Sequence, residues 1–317
     1  MELEGLLREL REYEGLKRKA SIGQWARSFI DTSPFSPGDD AGAVAVDGGY
    51  VLLSGEGIWP ELLEDPFFAG FCAVTVNVND VYAMGGRPLG LVAVIFSGGF
   101  SRGRRDEFIA GMKKGLEHYN VPLLGGHTSP WDDVSLVAVS IAGFAKELLR
   151  GDGGAPGDAL MVAYDLEGRR HPSFYAWDTV TRVEGGRTVL KLEALRELAE
   201  RKLCSSCRDI SNPGLLGTLA MMLESAGAAA RVSLDDIPVP AGVGLEWWLK
   251  AYPSYGFLLT ARPENVGSVG AVFDTAGVDW TQIGEVGEGS EILVRRGSKS
   301  ALFLDWKKDP VTGLFPG

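Results

Sequence analysis

Leu3, Leu6, Leu7 and Leu10 recur at three- and four-residue steps among charged residues, so residues 2–13 read as an amphipathic helix. A second short helix is expected over 22–30. The period then changes. Ala43–Val46 and Val51–Leu53 read as two strands joined by the turn Asp47-Gly48-Gly49. Asp65-Pro66 supplies an N-cap and a proline for the first helical position. From there to Met84 the chain is apolar on nearly every side, until Gly85-Gly86, and a helix without a polar face is a buried one. Leu89–Phe96 reads as a buried strand, 104–119 as a helix, and Val121–Leu124 and Ser135–Phe144 as further strands. Gly151 to Gly157 is the richest linker in the chain, which places a boundary near 150 between domains 1–150 and 151–317. Beyond it, Ala159–Tyr164 is strand-like and Val189–Lys202 is helical. Asn212-Pro213 opens a helix that runs to Ser225 and stops at Gly227. Helices Leu245–Ala251 and Pro263–Ala276 then mix with strands Gly256–Thr260, Trp280–Val286 and Ile292–Arg296. Strands and helices mingle in both halves without a strict βαβ rhythm, so the fold class is α/β with mixed, α+β-like sheets.

Against this apolar background a few polar residues stand out. Asp80 lies inside the buried helix, where a carboxylate must be paired, hydrogen-bonded or bound to metal. Asn77, three residues back on the same helical face, is placed to share that ligand or network. Asp39 and Asp40 repel each other in the loop Gly38–Gly42, which reads either as a solvated acidic turn or as a place for a hard cation. Gly125-Gly126-His127-Thr128 follows a short strand and presents a polar pair with little steric cover, as a turn or as a ligand contact. Asp209, Ser211 and Asn212 precede a helix N-terminus, where free N–H groups favour anions, or where Ser211 or Asn212 simply caps the helix. Cys204 and Cys207 have redox or half-zinc spacing without a second such pair. The basic clusters at 17–19 and 102–105 read as solvated helix ends or as a phosphate contact. No P-loop and no dinucleotide-binding glycine pattern is present.

Composition narrows the classes of partner. The 317 residues carry a formal net charge of −11, which argues against nucleic acid and anionic membranes. Three cysteines cannot build a disulfide framework, and no apolar run reaches the roughly 18–20 residues of a membrane helix. A soluble, cytoplasmic protein without a signal peptide is expected.

Taken in order, Gly38-Asp39-Asp40-Ala41, Asn79-Asp80 through Gly85-Gly86-Arg87-Pro88, Gly125-Gly126-His127-Thr128 and Asp209 through Leu215 resemble the AIR synthase-related superfamily. The segment from Asn79 to Pro88 is the most specific. The superfamily includes aminoimidazole ribonucleotide synthase, thiamine-monophosphate kinase, selenophosphate synthetase and a hydrogenase-maturation dehydratase. The chain looks most like its uncharacterised subfamilies, such as the methanogenesis-marker type. The resemblance implies a two-domain fold whose N-terminal domain dimerises through its sheet. It also implies ATP and Mg²⁺ as cofactors and phosphorylation or activation of an oxygen on a small-molecule substrate.

By position, Asp39, Asp40, Glu56, Asp80 and Asp209 would hold metal, with Asp40, Asp80 and Asp209 at the chemistry. Gly38, Asn77, Gly125, Gly126, His127, Thr128, Ser211 and Asn212 would contact the nucleotide. His127 stands where several branches have an acid, and Asn212 replaces an Asp of the kinase motif, which disfavours thiamine-monophosphate kinase activity itself. The first cysteine is Cys72, so the N-terminal reactive residue of selenophosphate synthetases is lacking. A non-catalytic ATP-binding regulatory or scaffolding dimer is the alternative.

Overall fold

The leucine stripe forms α1 (Leu3–Arg11), and Leu3, Leu6, Leu7 and Leu10 are all buried. Two shorter helices follow, α2 (Glu14–Lys17) and α3 (Ser21–Ala26), the latter continuing as a 3₁₀ turn where one helix was expected. The computed structural model describes residues 2–32, 38–131 and 133–314. They divide into two compact units. One comprises Ala41–Leu148 with Val180–Arg196; the other takes the described residues up to Asp40, Leu149–Thr179, and those from Glu197 onward.

The first unit is built on β1 (Gly42–Val46), β2 (Gly49–Ile58), α4 (Pro66–Ala83), β3 (Arg87–Ser97), α5 (Arg102–Tyr119), β4 (Leu123–Ser129) and β5 (Ser135–Ala145). Its five-stranded sheet has the order β1-β2-β5-β3-β4. All pairs are antiparallel except β3 with β4, which α5 connects as a crossover. Val46 pairs with Gly49, so the hairpin turn is Asp47-Gly48 and Gly49 belongs to the strand. The Asp65 carboxylate caps α4 by accepting the Phe68 N–H at 3.0 Å. Helices α4 and α5 approach closely because both contribute glycine at the crossing. A Cβ on Gly111 would lie 1.9 Å from the Phe67 carbonyl oxygen, and one on Gly70 would lie 2.1 Å from that of Phe108. Leu52, Leu91, Ala93, Val137, Val139 and Ile141 are buried on the sheet face covered by α4. Val44, Val46, Leu53, Val92 and Leu136 alternate with them and are exposed on the other face.

The first turns of α6 (Gly185–Glu200) belong to this unit. His118 Nε2 meets Thr188 Oγ1 at 2.9 Å. Glu193 accepts from Tyr82 Oη at 3.0 Å, from Arg87 Nε at 2.9 Å and from Arg196 Nε at 2.7 Å.

The second unit contains β6 (Ala159–Tyr164), β7 (Arg169–Arg170), β8 (Ala176–Asp178), β9 (Ser206–Asp209), α7 (Gly214–Ala226), β10 (Ala229–Ser233), α8 (Leu245–Trp248), β11 (Tyr252–Pro253), β12 (Gly256–Ala261), α9 (Val266–Ala276), β13 (Asp279–Gly287), β14 (Glu291–Arg296) and β15 (Lys299–Asp305). Its main sheet runs β15-β14-β10-β13-β6-β12-β9, with β10–β14 the parallel pair and β11-β8-β7 forming a small separate sheet. Every residue of β6 and β12 is buried, as expected for central strands. The α1 leucines share a core with Leu160, Leu219, Phe303 and Trp306. The mixed α/β class expected from the sequence is what both units show. Among the described residues no helix is long and apolar enough to cross a membrane.

Candidate functional site

Asp80 lies on α4 in the five-stranded unit and is only 5% exposed. Its Oδ2 accepts the Ser54 hydroxyl at 2.6 Å. Leu52, Ser54, Glu56 and Ile58 alternate along β2, so Ser54 and Glu56 lie on the sheet face that α4 covers. Asn77, one turn before Asp80, is fully buried and donates its Nδ2 to the Ala73 carbonyl at 3.0 Å. Its Oδ1 meets no hydrogen-bond partner among the described residues. A buried amide oxygen without a donor costs about 1–3 kcal/mol. Carboxylate, hydroxyl and amide oxygens are all hard donors, of the kind a small oxygen-seeking cation such as Mg²⁺ takes.

Gly125 to Thr128 lie within β4, where a short strand ending before them was expected. The pairing with β3 continues through them because Gly126 can come close: a Cβ there would meet the Ala93 carbonyl oxygen at 1.9 Å. Thr128 pairs with Ile95 and shares the α4 side of the sheet, whereas His127 pairs with Val94 and occupies the opposite face. β4 stands three strands from β2, roughly 14 Å across the sheet. The structure therefore does not bring His127 and Asp80 together within this unit.

In the seven-stranded unit, Asp39, Asp40 and Asp209 do converge. Asp40 Oδ2 accepts the Asp209 N–H at 3.0 Å, and its Oδ1 accepts Nε of Arg208 at 3.2 Å. Asp39 accepts the N–H of Asp40 at 3.0 Å on one oxygen and that of Gly151 at 2.9 Å on the other. Arg208 also donates to the Gly38 carbonyl. Burial pushes the Asp39 carboxyl up to about 6, with Asp40 adding to the shift and Arg208 opposing it. For Arg208 burial disfavours the charge, but Asp40 and Asp39 more than offset this and leave its pKa raised.

Asp209 closes β9, and the loop after it leads into α7. Neither Ser211 nor Asn212 caps that helix with its side chain; Pro213 occupies the N-cap position. Asn212 instead packs against α2, where its Oδ1 and carbonyl oxygen leave room only for the hydrogen of Gly15. Cys207 is fully buried and burial raises its thiol pKa well above the ordinary value. Burial likewise pushes the Cys204 thiol up to about 12, the opposite of what thiolate chemistry needs.

Among the described residues no three His, Cys, Asp or Glu side chains are grouped so as to hold a metal ion. The Asp39–Asp40 donor set is already occupied by N–H groups and a guanidinium, so it does not fit a metal as it stands. The sequence reading missed Ser54, Gly151 and Arg208. Ser54 carries a faint signal, a polar residue on the buried side of an alternating strand. Arg208 and Gly151 carry none, because their partners lie far away in the chain.

Residues 38–145 match the AIR synthase related protein, N-terminal domain, and residues 153–296 match the corresponding C-terminal domain. The chain belongs to this family. Within the family it is 37% identical to uncharacterized protein sll0787 of Synechocystis sp., over 98% of each chain. It is 27% identical to the thiamine-monophosphate kinase of Pyrococcus horikoshii, over 83% of this chain and 86% of that one. The structure of T. maritima PurL complexed with ADP superposes with a TM-score of 0.73 at 19% identity, covering 93% of this chain and 52% of that one. At that identity the likeness establishes the AIR synthase-related fold and no more.

Proposed function

We propose that the protein is an ATP-dependent enzyme that phosphorylates or activates an oxygen of a small-molecule substrate. The observation that carries this reading is the oxygen set around Asp80: a carboxylate buried in an apolar helix, held by Ser54, with the unpartnered Asn77 Oδ1 one turn away. Family membership and the kinase relative support it. Phosphoryl transfer needs positioning and charge neutralisation more than a covalent protein group. Mg²⁺, when bound, supplies that neutralisation. Asp80 and Asn77 would hold it, Ser54 fixes the carboxylate rotamer, and Glu56 adds charge on the same sheet face. In the other unit Asp209 offers a carboxylate beside the uncapped start of α7. Ser211 lies in the same loop and is proposed as a phosphate contact of that unit, whereas the Asn212 side chain is turned onto α2.

The carrying experiment is titration calorimetry with AMPPCP and Mg²⁺. Asp80→Asn is expected to lower the Mg²⁺-dependent affinity at least tenfold, and Asp209→Asn to weaken it too. Unaltered affinity in both variants overturns the reading.

A second reading, an ATP-binding dimer without turnover, is favoured by Arg208, which occupies Asp40 in an otherwise acidic cluster. ATP consumption in the presence of a metabolite pool separates the two. In either reading the open face of the five-stranded sheet is proposed as a homodimer contact. The net charge of −11 on the chain makes nucleic acid and anionic membranes poor partners, and a cytoplasmic location is proposed from the cysteine usage.

A further inference from the structure

Two adjacent aspartates, one with its carboxylate nearly out of water and the other half-buried, need a positive charge beside them. The AIR synthase-related resemblance implies metal for that role, but the structure supplies a side chain. Arg208 is 4% exposed and Asp40 7%. The guanidinium reaches Asp40 Oδ1 through Nε at 3.2 Å and holds the Gly38 carbonyl with its Nη2. The three remaining carboxylate oxygens of the pair take the backbone N–H groups of Asp209, Asp40 and Gly151 at 3.0, 3.0 and 2.9 Å. Every oxygen thus has a donor. Gly151 lets the ring close: a Cβ there would lie 2.7 Å from Asp39 Oδ1 and 3.0 Å from Arg208 Cγ.

A guanidinium is always protonated and is less strongly hydrated than a small cation. It therefore neutralises the pair at any working pH without a metal. Magnesium, which demands near-octahedral oxygens at short distance, would have to evict it.

We propose that Arg208 is a resident counter-ion that takes the place of a divalent cation at Asp39 and Asp40, making these two carboxylates structural rather than metal-binding. Where divalent cations serve the function proposed above, they are held by other residues. The counter-ion role itself is read without nucleotide.

The test is Mn²⁺ binding to the full chain, followed by the loss of the free Mn²⁺ electron-spin signal, alongside thermal unfolding. Asp39→Asn, which keeps the Arg208–Asp40 pair, is expected to leave wild-type Mn²⁺ occupancy unchanged. Arg208→Met is expected to gain one further Mn²⁺ per chain, at least tenfold tighter than any binding there in the wild type. Its melting temperature should rise with Mn²⁺ while that of the wild type does not respond at this site. The double variant Arg208→Met/Asp40→Asn should lose the gained ion. Loss of wild-type Mn²⁺ binding in Asp39→Asn overturns the proposal, as does a folded Arg208→Met that gains none. If Arg208→Met folds only in Mn²⁺, the proposal is supported; if it folds in neither condition, the Asp39→Asn result decides. AMPPCP titration of the same samples reports on the ATP reading separately, because the gained ion is measured without nucleotide.

Discussion

Glu224 shows how much a single buried carboxylate can organise. It is 3% exposed on α7 and accepts the Val311 N–H at 2.6 Å, the Thr312 N–H at 3.0 Å and the Thr312 hydroxyl at 2.6 Å. These bonds pin the segment around residue 311 to the helix. Each hydrogen bond to a charged group contributes ~1.5–3 kcal/mol, and a truncated partner strands buried donors. Glu224→Ala is expected to cost about 3–4 kcal/mol in urea unfolding, and Glu224→Gln about half as much, because its amide still accepts at one oxygen. The same rule explains what was legible at the candidate site. Asp39, Asp40, Asp80 and Asp209 announce themselves because carboxylates in Gly-rich or apolar settings violate local expectation. Arg208 does not, because its partner Asp40 lies 168 residues away and β9 is too short for a pattern to show.

At the scale of elements, α4 is the most informative piece. Its cap, its proline and its apolar circumference are all local signals, so the sequence reading and the structure agree over Pro66–Ala83. β10 and β15 went unread because Ala229-Ala230-Arg231 has little strand character and β15 begins with exposed polar residues; tertiary pairing with β13 and β14 makes them strands. The α4–α5 crossing is likewise invisible locally. Gly111→Ala, with its Cβ 1.9 Å from the Phe67 carbonyl oxygen, must push the helices apart. A loss of about 2–4 kcal/mol is expected, read from denaturant unfolding, together with weakened Mg²⁺-dependent AMPPCP binding because α4 carries Asp80.

Helix α6 is fastened to the same unit by Glu193. Burial alone would raise its carboxyl pKa, but hydrogen bonds from Arg87, Arg196 and Tyr82 bring it from the ordinary 4.5 down to about 2. A depressed acid stabilises the fold above its unfolded pKa. The contribution is therefore complete above pH 4.5 and is lost as pH falls towards 2. Arg87 is 60% exposed, so screening limits the contribution to about 2 kcal/mol. Glu193→Gln should remove that amount at pH 7 and flatten the acid limb of stability against pH, measured by thermal melts between pH 2 and 6.

At the scale of the whole molecule, the open face of the five-stranded sheet remains to be accounted for. Leu53 is 56% exposed, Val44 49%, Leu136 47% and Val92 42%, on four strands that pair in one sheet. Register puts these residues on a single side, since Leu53 faces Ala142, Val44 faces Val51, Val92 faces Ser140 and Leu136 faces Phe96. A contiguous apolar face of this kind is uncommon on a monomer and marks a contact surface. Sedimentation velocity is expected to give twice the chain mass at micromolar concentration. Leu53→Lys together with Val92→Lys, on two different strands, should give the monomer with an unchanged circular dichroism spectrum. A monomeric wild type would sink the dimer proposal. His127 lies on this same face opposite Val94, so dimerisation and nucleotide binding can be tested against each other. If His127 contributes to the nucleotide contact from the shared surface, the double variant loses AMPPCP affinity along with its partner. If the monomer binds AMPPCP as the dimer does, the nucleotide contacts come from one chain and the proposed dimer contact is dispensable for them.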